Sequence, residues 1–137
     1  MTLTIQPVAL TQAAQAWPLA ERHILEAIPH SNGDYTLDQV KLYVNTGVWL
    51  LLVAVDENNE VHGAATVVFQ NYPNDRVGFI TFIGGKLISN PETFDQLCAI
   101  LKAHGATKIQ GMARPAIARL WARYGFEERV MLVEAKL

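Results

Sequence analysis

Hydrophobic and polar residues fall in short blocks along this chain, and the blocks switch between a period of two and a period near 3.6. Residues 2–7 alternate polar and apolar and stop at Pro7, the pattern of a short edge strand. From Thr11 to Ile28, the residues Ala13, Trp17, Ala20, Ile24 and Ile28 share one helical face, and Pro29-His30-Ser31-Asn32-Gly33-Asp34 breaks the run. Pro18 forfeits a hydrogen bond inside that helix, so its regular part is expected to begin there. Thr36-Leu37-Asp38-Gln39 has the form of a capping box and opens a second helix that runs to about Asn45, with Gly47 ending it. Val48 to Val55 is apolar on both alternations, which predicts a strand covered on both faces and placed inside a sheet.

The polar turn Asp56 to Glu60 leads into a strand over Val61 to Gln70, so these two strands form an antiparallel hairpin. A third strand of this meander spans Arg76 to Ile83, and Gly84-Gly85 ends it. Ser89 or Asn90 caps a helix whose first position is Pro91 and whose apolar stripe is Phe94, Leu97, Cys98 and Leu101; His104-Gly105 closes it. A strand over Thr107 to Met112, a helix over Pro115 to Tyr124 and a strand over Phe126 to Leu137 complete the order β-α-α-β-β-β-α-β-α-β. That order predicts a single α+β domain over residues 1–137, a mixed sheet with helices on both faces, in which a right-handed crossover adds a parallel neighbour to the meander.

Composition narrows the function. Half of the 137 residues are hydrophobic, enough for a core without disulfides or a structural metal. A formal charge of −2, with no lysine or arginine cluster, predicts no nucleic-acid partner. The single cysteine, Cys98, excludes an internal disulfide and suits a reducing, cytoplasmic compartment; on the apolar stripe of its helix it reads as a structural thiol. No basic segment followed by an apolar core opens the chain and no apolar run reaches membrane-spanning length, so no membrane association is expected.

The segment Ile109-Gln110-Gly111-Met112, then Arg114-Pro115, Leu120-Trp121 and Gly125-Phe126, resembles the closing half of the Gcn5-related N-acetyltransferase (GNAT) superfamily. The resemblance implies a cofactor, acetyl-CoA, lying between the middle strands and the last helix. Family members carry Gln/Arg-x-x-Gly-x-Gly/Ala after the strand that here ends at Ile83, with glycines that let backbone amides approach a pyrophosphate at a helix N-terminus. The corresponding residues are Ile83, Gly84, Gly85 and Lys86, followed by Pro91, which lacks an amide donor, and Glu92, which is negative. Ile83 to Lys86, with Arg119 for a phosphate, are therefore the candidate cofactor-binding residues.

The family's catalytic tyrosine, which protonates the departing thiolate, aligns with Trp121, and its asparagine with Arg114. An indole has no exchangeable hydroxyl proton, so that role does not carry over. Ile117, Leu120, Trp121 and Tyr124 have the spacing of a core stripe. Tyr124 lies about 60° around the helix from Trp121 and is the candidate acid if the helix is turned. His62 is the candidate base, with Glu60, His23, Glu26 and His30 as others that could serve. Without a third ligand near His23 and His30, no metal site is expected.

Within the superfamily, the run at 105–111 and the terminal Val133-Glu134-Ala135-Lys136-Leu137 look like small GNAT-like proteins of tailed bacteriophages. That similarity implies a phage-encoded pseudoenzyme with degenerate acetyl-CoA and catalytic motifs. It would act as a protein-interaction or virion-associated structural component, in the host cytoplasm or incorporated in a virion, with virion or host proteins as partners and homo-oligomers among its forms. An apolar contact patch would then lie near Tyr72-Pro73 or Leu87-Ile88. The alternative is an active N-acetyltransferase moving acetyl from acetyl-CoA to an amine.

Overall fold

A computed structural model describes residues 1–137. The strands are β1 (Thr4–Pro7), β2 (Leu50–Val55), β3 (Val61–Asn71), β4 (Arg76–Gly85) and β5 (Lys108–Gly111); the helices are α1 (Ala13–Ala27), α2 (Leu37–Asn45), α3 (Pro91–Ala103) and α4 (Pro115–Trp121). One sheet runs in the order β1-β2-β3-β4-β5, antiparallel throughout except for the β4–β5 pair. The α+β class and the crossover stand as expected.

Local chemistry accounts for most element ends. Thr36 and Gln39 form the reciprocal capping box of α2, and Asn90 with Thr93 does the same for α3, whose first position is Pro91. Helix α1 begins at Ala13, before Pro18. In an α-helix the amide Pro18 lacks would have met the Ala14 carbonyl in the first turn, so the loss falls at the helix end, while Ala13 and Trp17 are buried and hold that turn in place.

The sheet separates two hydrophobic layers. Trp17, Ala20 and Ile24 of α1 and Val40 and Val44 of α2 pack on Leu51, Val53, Val55 and Phe82. On the other face Leu97, Leu101 and Trp121 pack on Leu52, Ala54, Val67 and Ile80. The two alternations of β2 thus enter opposite layers, as its doubly apolar pattern predicts.

The last predicted strand does not form. A short 3₁₀ turn (Ala122–Tyr124) follows α4, Gly125 takes the left-handed conformation at φ 93°, and Phe126 tucks between Trp121 and Phe94. Residues 127–137 are exposed and no backbone hydrogen bond ties them to the rest of the chain. An apolar run such as Val130 to Val133 marks a segment able to pair, but a strand exists only beside another strand's free backbone groups, and none lies against this one. Leu87, expected near a surface patch, is wholly buried, and Ile88 is half-buried. No helix is long and apolar enough to cross a membrane.

Candidate functional site

A one-residue irregularity in β4 lies at the floor of the main cleft. Val67 pairs with Ile80 and Thr66 with Phe82, so Thr81 is an extra residue bulged out of the ladder. The Thr81 hydroxyl donates to the Thr66 carbonyl (3.0 Å), and the two threonine hydroxyls lie 2.7 Å apart, which pins the bulge. As a result Ile80 enters the α3–α4 layer and Phe82 the α1–α2 layer.

Strand β5 pairs with β4 only from Val77 to Ile80, then turns away into α4. Beyond Ile80, β4 keeps β3 on one edge and has no strand on the other. Backbone groups of Phe82 to Gly85 that point away from β3 therefore face open space. That space encloses about 370 Å³, within the roughly 300–1,000 Å³ of small-ligand clefts. Its floor is Ile80 to Gly85; one wall is Glu26, Ala27, His30 and Ser31; the other is Met112, Ala113 and Arg114 with Ile117, Leu120 and Trp121 of α4. Asn32 Nδ2 donates to the Met112 sulfur at 3.0 Å and links the loop after α1 to the end of β5.

The predicted site residues divide in two. Ile83, Gly84 and Gly85 line the cleft; Lys86, Arg119, Tyr124 and His62 are absent from its lining. Lys86 and Arg119 are exposed. Tyr124 is half-buried and stacks on Phe94 at 5.1 Å. His62 Nε2 lies 2.8 Å from Asp56 Oδ2, and this hydrogen bond, together with the amides of Glu60 and Asn58, holds the Asp56 carboxyl below its ordinary value. Asp56, Glu60 and His62 place ligand-type atoms within 4.8 Å of one another, a juxtaposition exposed turns show without any ion.

Gly84 and Gly85 have a packing reason of their own. A Cβ on Gly84 would collide with the His23 carbonyl oxygen; one on Gly85, where φ is +64°, would come within 2.6 Å of His23 Nδ1. The glycine pair lets α1 seat on the end of β4. His23 is buried there, an inward position absent from the predicted face, and burial, with Arg22 beside it, lowers its pKa. Burial raises the Cys98 thiol, in keeping with an unreactive structural cysteine.

The α3 N-terminus is largely committed to itself. The Thr93 amide donates to Asn90 Oδ1 (2.8 Å), the Ser89 and Asn90 amides to Thr93 Oγ1 (3.0 and 3.2 Å), and the Phe94 amide to the Asn90 carbonyl (3.2 Å). Pro91 has no amide, and Glu92 adds a carboxylate to the first turn. An anion finds fewer free donors there than at an open helix start.

Proton donors are scarce in the cleft as well. Trp121 stands on the α4 wall, 6 % exposed, its ring tilted on Phe126 at 5.1 Å. The hydroxyls of Thr81 and Ser31 already donate to the carbonyls of Thr66 and Ile28. Glu26, His30 and Arg114 are the titratable groups that line it. Glu26 and His30 are among the bases the sequence offers; the bulge at Thr81 has no sequence signal, because its register depends on how two strands meet.

No family model and no curated relative matches the sequence. Among solved structures, the chain is similar to a predicted acetyltransferase with acetyl-CoA from Clostridium acetobutylicum, at 16 % identity and a TM-score of 0.65 over 98 % of this chain and 96 % of that one. An aminoglycoside acetyltransferase from an uncultured soil metagenomic sample superposes at 16 % identity and TM-score 0.67, covering 100 % and 99 % of the two chains. Another, in complex with sisomicin, does so at 17 % and 0.66 over 98 % and 96 %. The chain shares the α+β fold of these acetyltransferases, the fold that the GNAT resemblance leads one to expect.

Proposed function

We propose that this protein binds an acyl-CoA in the cleft beside β4 and has lost most of the proton delivery that transfer to an amine requires. The observation that carries this reading is the free edge of β4 from Phe82 to Gly85, bordering a cleft of about 370 Å³. A thioester's pantetheine arm carries two amides, and an unpaired strand edge offers donors and acceptors for them. Ile80, Ile117, Leu120 and Trp121 supply apolar walls for its methylenes and acyl end. Bound acetyl-CoA would supply the activated acyl group. Glu26 and His30, on the opposite wall, are placed to take a proton from an amine acceptor. Trp121 has no proton to give a leaving thiolate, and the internally capped α3 start grips a pyrophosphate weakly. Weak binding and slow or absent turnover follow.

A second reading, a protein-interaction component, is favoured by the exposed apolar run Val130 to Val133, while its phage or virion setting rests on the sequence resemblance alone. Calorimetric titration with acetyl-CoA and with CoA separates the two. Saturable binding that Ala113→Trp abolishes, with the fold intact by circular dichroism, is expected, because Ala113 is an exposed residue of the cleft wall. No heat with the wild type at millimolar ligand would remove the acyl-CoA reading and leave the interaction module.

A further inference from the structure

We propose that His23 is a proton-controlled latch on the cleft: in its neutral form it seats α1 against the end of β4, and its protonation releases that seat. Two observations carry this, and neither depends on acyl-CoA binding. The side chain is 7 % exposed, and its Nδ1 is buried with no hydrogen-bond partner. The same residue also touches the cleft floor twice: a Cβ on Gly84 would meet its carbonyl oxygen and one on Gly85 its Nδ1, and both glycines line the cleft. Glu26, Ala27 and His30 of the facing wall follow His23 in α1 and in the 3₁₀ turn after it. A displacement of His23 from β4 therefore moves that wall against its floor.

The ring nitrogens decide which form fits. Arg22 Nε donates to His23 Nε2 at 3.3 Å. A guanidinium has only hydrogens to give, so Nε2 offers its lone pair and the one proton of the neutral ring is assigned to Nδ1. A second proton, on Nε2, would point at the Arg22 N–H, donor against donor, while the Nδ1 proton still lacks an acceptor. Burial and, after it, the Arg22 guanidinium hold the His23 pKa below the ordinary 6.5, with His62 of β3 adding to them; the Val61 carbonyl and Glu26 work the other way. His62 is itself tied to Asp56, Glu26 is exposed, and β4 meets the ring with Gly85, which carries no charge. A charged imidazole needs water or a close carboxylate, and this ring gains them by α1 lifting from β4. Lifted His23 takes up a proton more readily than seated His23, so the seat is complete above about pH 6.5 and weakens as pH falls below it, by up to about tenfold per pH unit between the two pKa values.

The test follows the ¹⁵N-labelled full chain, without ligand, from about pH 8 to about pH 5, reading the four imidazoles and the Gly84 and Gly85 amides in the same samples. In the wild type a His23 proton on Nδ1 and a His23 midpoint below 6.5 are expected, with glycine amide shifts that follow His23 and not His30, His62 or His104. His23→Gln keeps an acceptor for Arg22 and cannot titrate, so it is expected to lose the glycine shifts. It is also expected to lose the acid-side rise of the unfolding constant in urea, up to about tenfold per pH unit in the wild type. His62→Gln is expected to keep the glycine shifts. A His23 already charged at about pH 7, glycine amides that stay fixed or follow another histidine, or an acid-side rise that persists in His23→Gln would overturn the proposal. Where a variant does not fold, the wild-type imidazole and glycine readings decide it alone.

Discussion

Trp121 belongs both to the hydrophobic core and to the wall of the cleft. It is packed against Phe126, and a Cβ on Gly111 would come within 3.2 Å of its ring, so the glycine leaves room for an indole. The same residue lines the cleft, so it serves the core and borders the site together. Replacing indole with phenol removes some packing but supplies a hydroxyl where none is free. General acid catalysis is worth about 10²–10⁴-fold. Trp121→Tyr is therefore expected to raise CoA release from acetyl-CoA in the presence of amine by at least about tenfold, measured as free thiol. An unchanged rate with intact binding would mean that proton delivery at this position is not what limits transfer.

At the scale of elements, the seat of α1 on β4 decides whether the cleft keeps its shape. The Gly84 position touches the His23 backbone, which cannot move aside as a flexible side chain would. Gly84→Ala is expected to cost about 3 kcal/mol, the upper part of the usual range for overpacking, as a lowered midpoint in urea with an unchanged slope. A loss below about 0.5 kcal/mol, the level of an ordinary surface substitution, would mean that α1 shifts freely on the strand. The elements themselves were mostly legible because their signals are local: Thr36 with Gln39, Asn90 before Pro91, and the doubly apolar β2 each act within a few residues. The bulge at Thr81 was not, since a register shift is set jointly by β3 and β4. The segment after Phe126 carried the signal of a strand, but its pattern could not say which backbone it would meet.

For the whole molecule, the α+β order read from periodicity leads to an open sheet with β1 and β5 at its edges and a gap between β4 and α4. Of the candidate site residues, Ile83, Gly84 and Gly85 reach that gap because strand order alone puts them at the end of β4. Lys86, Arg119, Tyr124 and His62 depend on which way a side chain leaves its element, and that is settled by packing: Tyr124 on Phe94, His62 on Asp56. The proposed acyl-CoA site is that gap, bordered by an unpaired stretch of β4. The most direct test is the amide spectrum of the ¹⁵N-labelled chain titrated with acetyl-CoA. Shifts concentrated at residues 81–85 and at 113, 114, 117, 120 and 121 are the result expected. Shifts confined to the α3 start or to residues 126–137, or no shift at millimolar acetyl-CoA, would contradict a ligand site beside β4.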